Sequence, residues 1–182
     1  MAREFTASCL QDSIALFHYY KTMAERAFAQ LSDEQLTVAL DPEMNSIAQI
    51  VKHMAGNMRS RWMGFPEADG EKADRNRDSE FEAPPKTRAA MLAQWEAGWK
   101  YVFDALAPLT DADLERATAI RGEIHSVAQA LHRQIAHYAY HVGQIVFLAK
   151  HLKGAPWQSL SIPRGQSAQF TARVQSGEAS QR

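Results

Sequence analysis

The stretch SVAQALHRQIAHYAYHVGQIVFLAKHL, residues 126–152, decides how this chain folds. Val127, Leu131, Ile135, Tyr138, Val142 and Ile145 recur at three- and four-residue spacing, the period of a helix that buries one face. Ser126 with Gln129 three residues on reads as a capping box: the serine hydroxyl accepts from a free backbone N–H and the glutamine reaches back. Gly154-Ala155-Pro156 stops the helix. Twenty-odd residues of one amphipathic period need partners of similar length to cover the apolar face.

Three more long helices stand out. Residues 5–31 place Phe5, Cys9, Phe17, Tyr20, Ala24, Phe28 and Leu31 at helical spacing. A second helix begins at Asn45-Ser46, where Ser46-x-x-Gln49 repeats the capping box, and carries Ile47, Ile50, Val51, Met54, Met58 and Trp62 inward. A third follows Pro84-Pro85, with Thr87 as N-cap and Met91, Leu92, Trp95, Trp99, Val102 and Leu106 as its apolar stripe. Sustained alternation is absent, so no strands are expected.

The chain also echoes itself. Leu-Ser-Asp-Glu-Gln-Leu at 31–36 resembles Leu-Thr-Asp-Ala-Asp-Leu at 109–114, and Ser-Ile-Ala-Gln at 46–49 resembles Ser-Val-Ala-Gln at 126–129. The expectation is an all-α four-helix bundle made of two related helical hairpins, in which the second and fourth helices are equivalent. Residues 63–85, rich in charge and turn formers, join the second helix to the third as a long crossover. The bundle is expected to occupy residues 1–153, followed by an irregular tail, 154–182, whose end from Gln175 on is disordered.

Composition narrows the function classes. The chain has 182 residues, 46% hydrophobic and 23% charged, enough for one domain with a proper core. Twenty basic residues against 21 acidic leave a net charge of −1, which gives no electrostatic reason to expect nucleic acid or an anionic membrane as partner. The longest apolar run, Ile145-Val146-Phe147-Leu148-Ala149, is far too short to span a bilayer. Arg3, Glu4 and Asp12 interrupt any signal-like apolar segment, and the expectation is a cytoplasmic protein. The single cysteine, Cys9, excludes an internal disulfide and reads as a small buried residue of the first helix.

Seven histidines remain to be placed: His18, His53, His125, His132, His137, His141 and His151. His137 and His141 stand one turn apart and share a face, so two neutral imidazoles there can hold one metal ion, or be two ordinary helix histidines. Tyr138 occupies the position where a helical zinc protease needs its glutamate, and none of the histidines has the glutamate three residues earlier that a di-iron bundle needs. The metal option that is left is a mononuclear site with a third ligand from another helix; the other reading remains two ordinary helix histidines. On a helical wheel with Val127 at 0°, the apolar stripe spans about 0° to 80°, His141 falls near about −40° and His137 near about −80°. With Ile47 at 0° on the second helix, His53 falls near about −120°, on the same flank. If a twofold relates the two helices, those flanks meet at a rim or cleft rather than deep in the core; the alternative for His53 is a solvated histidine next to Lys52.

His53 in NSIAQIVKHMAGNMRSRW (residues 45–62) and the His137-x-x-x-His141-x-Gly143-Gln144 run resemble the DinB/YfiT-like superfamily, and the resemblance covers residues 5–152. It is closest to a branch of unknown function with a tail like residues 157–166. The resemblance implies a four-helix bundle with a long crossover, often a homodimer, and a divalent metal such as zinc, nickel or iron on His53, His137 and His141. It also implies thiol-dependent isomerases and S-transferases among the relatives, in which a metal lowers the pKa of a thiol or water. It supplies no general base, so the catalytic residues stay unassigned.

Several neighbours carry two readings. Asn57 orients a ligand or packs the helices; Gln144 hydrogen-bonds an imidazole or is surface. Gly143 permits close helix approach. Trp62, Trp95 and Trp99 are core rather than a substrate platform. Arg164 binds an anionic group or is solvated. His125 caps or sits on the surface, and His132 points away from the pair. Three function classes follow. One is a metal-dependent transferase or hydrolase acting on a small molecule. The second is a non-enzymatic bundle that holds a metal or ligand for sensing or stress protection. The third is a structural dimerisation bundle.

Overall fold

The computed structural model describes residues 7–180. Its helices are α1 (Cys9–Phe28), α2 (Asp33–Leu36), α3 (Ile47–Trp62), α4 (Arg88–Leu106), α5 (Val127–Lys153) and α6 (Ser167–Gln175), with one hairpin, β1 (Ala117–Ile120) and β2 (Glu123–Ser126). The four long helices α1, α3, α4 and α5 form the expected all-α bundle. The start of the first helix at Phe5 lies outside the described residues, as do residues 181–182 of the tail.

The capping grammar folds as written. Ser46 Oγ accepts from the Gln49 N–H at 3.2 Å while Gln49 Oε1 accepts from the Ser46 N–H at 2.7 Å. Ser126 and Gln129 repeat this at 3.1 and 2.9 Å. The other half of the echo also holds: Ser32 with Gln35 caps α2, and Thr110 with Asp113 caps a 3-10 turn at Asp111–Glu115. Gly154 closes α5 at positive φ.

Side-chain contacts give the helix directions. Phe28 meets Trp95 and His18 meets Phe103, so α4 runs against α1. Phe17 meets Tyr138 and Gln30 binds the backbone of Gln158 beyond α5, so α5 runs with α1. His53 meets His141 and Asn57 meets Tyr138, so α3 runs against α5. Hence α3 and α4 are parallel neighbours. A tight turn cannot join them; the chain must first return the length of α3, about 24 Å for its 16 residues. This return is the work of residues 63–87.

The return path lies along α3 and is bonded to it. Ser60 Oγ donates to Gly70 O at 3.0 Å, Lys52 Nζ donates to Ser79 O and Glu82 O at 2.6 Å each, and Gln49 Nε2 donates to Phe81 O at 3.0 Å. A 3-10 turn at Asp78–Phe81 sits over the middle of the helix. On the other side α3 meets α4 closely at Gly98, where a Cβ would lie 3.0 Å from Ala55 Cα and 2.9 Å from Met58 Sδ.

The core is filled by Phe17, Phe28, Met54, Met58, Trp62, Met91, Trp95, Trp99, Tyr138 and their aliphatic neighbours, all buried. The three tryptophans are therefore core, as expected.

Four expectations are corrected. Strands exist: residues 117–126 form an antiparallel hairpin, because Arg121 and Gly122 both take positive φ in a two-residue turn. Four residues per strand are too few to show a period, and β1 docks on the crossover through Gly70 N to Ala119 O at 2.8 Å. The tail is not irregular throughout: α6 forms, its half-buried Phe170 and Val174 stacked one turn apart. Cys9 is exposed, as the first residue of α1 rather than part of its inner face. Gly143 is exposed with open space beyond its Cα, so among the described residues it accommodates no neighbouring helix.

Candidate metal centre

On α5, His137 and His141 point the same way, and their Nε2 atoms lie 3.2 Å apart. His141 is oriented locally. Its Nδ1 donates to Gln144 Oε1 at 2.8 Å, and the Gln144 amide in turn donates to the Tyr140 hydroxyl at 3.0 Å. With Nδ1 protonated, Nε2 of His141 keeps its lone pair. His137 Nδ1 is buried with no hydrogen-bond partner among the described residues.

The residue between them, Tyr138, faces the opposite side. It sits in the core against Phe17 and Trp99, and its hydroxyl accepts from Trp62 Nε1 at 2.9 Å and donates to Asn57 Oδ1 at 3.4 Å. Burial, eased by the Trp62 hydrogen bond, holds its phenol well above the ordinary range, so it stays protonated. Asn57 is thus a packing residue.

On α3, His53 donates from Nδ1 to Glu80 Oε2 at 2.8 Å, which leaves Nε2 as its free nitrogen. Glu80 comes from the crossover and is held by Arg75, whose Nε and Nη2 donate to its two oxygens at 2.8 and 3.0 Å. Arg75 Nη1 also donates to Glu71 at 3.0 Å, and Glu71 accepts from Arg61 of α3 at 3.1 Å. A ladder of alternating charge, Arg61–Glu71–Arg75–Glu80, so ends on His53. Burial by itself would raise the Glu80 carboxyl; hydrogen bonds from His53 and Arg75 and the Arg75 charge outweigh it and hold the group below the usual carboxylate range. Phe81 stacks on the His53 ring at 4.6 Å between centroids.

This cover changes the position of the site. His53 was expected at a rim, yet it is 3% exposed, and His141 8%. The helical wheel placed His53 off the apolar stripe correctly; the crossover then buried that flank with Glu80 and Phe81.

One ring nitrogen from each of His53, His137 and His141 lies within 4.8 Å of the others. Ring centroids are 4.9 Å apart for His53 and His141, 5.5 Å for His53 and His137, and 4.6 Å for His137 and His141. Burial, helped by the nearby histidines and arginines, pushes His137 down to about 3. Burial pushes His141 down to about 4, against the Gln144 hydrogen bond that favours its charged form. Both are neutral at pH 7, as ligation requires. The donor set fits a divalent transition metal: three imidazoles, two of them with the outer nitrogen already committed.

The other histidines stay apart. His18 stacks on Phe103, His125 binds the backbone of Glu123, and His132 and His151 are exposed. Arg164 is exposed as well. Reading the sequence alone missed Glu80, Arg75 and Phe81. Their only signal is that the crossover holds acids, arginines and aromatics in a segment longer than a simple linker needs.

A family described as "Protein of unknown function (DUF1572)" matches residues 4–166. The chain belongs to this family. No curated protein matches it. Among solved structures, this DUF1572 member is similar to a DinB-like protein from Bacillus cereus ATCC 10987, at a TM-score of 0.62 and 16% identity, over 85% of this chain and 100% of that one. The likeness shows a DinB-like fold for the DUF1572 chain, in agreement with the resemblance carried by His53 and the His137–Gln144 run.

Proposed function

We propose that this protein is a metal-dependent enzyme that holds a divalent ion on His53, His137 and His141 and acts on a small molecule by transfer or hydrolysis. The observation that carries it is the convergence of three imidazole nitrogens within 4.8 Å, from two helices, with the outer nitrogens of two of them anchored. A zinc, nickel or ferrous ion supplies Lewis acidity there, enough to make a nucleophile of water or a low-molecular-weight thiol at neutral pH. The chain's own part is to keep His137 and His141 neutral, fix the tautomers of His53 and His141, and shield the α3 side from water with Glu80 and Phe81. A cytoplasmic homodimer belongs to the same proposal. Among the described residues no helix is long and apolar enough to cross a membrane.

A second reading, a bundle that holds the metal without turnover, is favoured by one feature. Both oxygens of Glu80, the carboxylate at the site, are taken by His53 and Arg75, so it is not free to move a proton.

The test is elemental analysis of untagged protein, wild type beside His53→Ala and His141→Ala. About one metal per chain in the wild type, lost in both variants, supports the three-ligand centre. No metal in the wild type after reconstitution with zinc, nickel and ferrous iron refutes it. Loaded protein is then screened for thiol-dependent transfer and for hydrolysis, which separates the two readings.

A further inference from the structure

We propose that Glu80 is a positioning residue for His53, admitted to the site by the missing side chain at Gly56, so that the crossover sets the tautomer of His53 and with it the metal affinity. The consequence for metal rests on the reading above; the tautomer does not.

Two independent observations carry it. The first is the hydrogen bond from His53 Nδ1 to Glu80, with Glu80 clamped on both oxygens by Arg75. A carboxylate that accepts from Nδ1–H excludes the other tautomer and makes the imidazole a better donor at Nε2. The second is Gly56, one turn after His53 on α3. A Cβ there would lie 2.7 Å from the Glu80 carboxyl carbon, closer than a Cβ approaches another atom, and 3.1 Å from its Cγ, tighter than an ordinary contact, so the Glu80 side chain would have to shift. Helix interiors disfavour glycine, and φ at Gly56 is not of the kind that requires it. The space above it is filled by Glu80 alone among the nearest atoms. Gly56 is therefore the notch through which a residue 27 positions from His53 reaches the ring.

The carboxylate is also held from the far side. Arg75 bridges Glu80 and Glu71, and Glu71 returns to Arg61 on α3, two turns from His53. The side chains of Arg75 and Glu80 are 4% and 8% exposed, so neither charge can turn to water without undocking the crossover. The orientation of His53 and the docking of residues 71–81 are thus one structural event. Gly143 is the internal contrast: a helix glycine near the same site with nothing within 4 Å.

The experiment uses the full chain as wild type, Glu80→Met, Gly56→Ala and Gly143→Ala, with zinc affinity measured by chelator competition and imidazole tautomers by long-range 1H–15N NMR on the metal-free protein. Expected are a wild-type His53 protonated at Nδ1, a mixed tautomer in Glu80→Met and Gly56→Ala, and zinc affinity about ten- to a hundredfold weaker in both. Gly143→Ala keeps the wild-type tautomer and affinity. Glu80→Met keeps the length of the side chain and removes both acceptor oxygens, so it stays informative if Gly56→Ala fails to fold. A wild-type His53 protonated at Nε2, or an unchanged tautomer in Glu80→Met, overturns the proposal. So does unchanged zinc affinity with a changed tautomer. If the wild type binds no metal, the metal reading fails, while the tautomer still decides the role of Glu80.

Discussion

The two sides of the histidine cluster are built in different ways. On α5, His141 is anchored by Gln144, three residues along the same helix, through a neutral amide that rests on Tyr140. On α3, His53 is anchored by Glu80, 27 residues away on the crossover, through a carboxylate that two guanidinium bonds hold in place. The α5 side comes with the helix: once it forms, i and i+3 are neighbours. The α3 side exists only after the crossover has docked. A site assembled this way has one half set by contacts within a single helix and one half that depends on tertiary structure.

The largest effect should come from breaking the α3 side. Arg75→Met leaves the buried Glu80 and the half-buried Glu71 beside one fewer cation, and should cost about 3–5 kcal/mol in urea denaturation. Arg59→Ala, which breaks the solvent-exposed Arg59–Asp74 pair on the same crossover, should cost less than about 1 kcal/mol. Equal losses from the two would mean that the buried ladder contributes no more than a surface ion pair.

A smaller effect separates the α5 side. His137 and His141 are held at about 3 and about 4, below the unfolded value of 6.5. Their neutral burial therefore stabilises the fold above pH 6.5, and that contribution is lost as pH falls, because the unfolded chain takes up protons first. Between pH 6.5 and the ordinary glutamate value of 4.5, before Glu80 contributes, wild-type stability should fall. The double variant His137→Gln/His141→Gln should follow a flatter curve in the same window. Parallel curves would show that the two histidines do not titrate differently in the folded protein.

The smallest effect is a gain. Gly143→Ala places a methyl in open space on an exposed helix face and should stabilise the protein by about 0.5–1 kcal/mol, read from thermal denaturation. A loss there would point to a neighbour that covers this face of α5 in solution.

Much of the fold was legible before the structure. The capping boxes at Ser46 and Ser126, the cap at Thr87 and the stop at Gly154 fall where the residues indicate, because caps are settled by atoms within four positions of one another. The helical wheel also set His53, His137 and His141 on one flank of two helices, since a regular helix fixes side-chain direction from spacing alone. The short hairpin escaped notice because four-residue strands have too little periodicity to be seen against a helical background. Gly143 was misread because a helix glycine near a motif does not say whether another chain segment lies above it; at Gly56 one does, and at Gly143 none does.

By itself, then, the sequence determined four long helices, the caps of three of them, their inward faces and the three histidines that a twofold-related pair of helices can bring together. These depend on local hydrogen bonds and on the 3.6-residue period, which act over a few residues. Only the tertiary structure decided that the returning crossover covers His53, and that Glu80 enters over Gly56 to meet it. Those contacts join residues tens of positions apart, and they follow from the burial of charges and aromatic rings that no local pattern encodes.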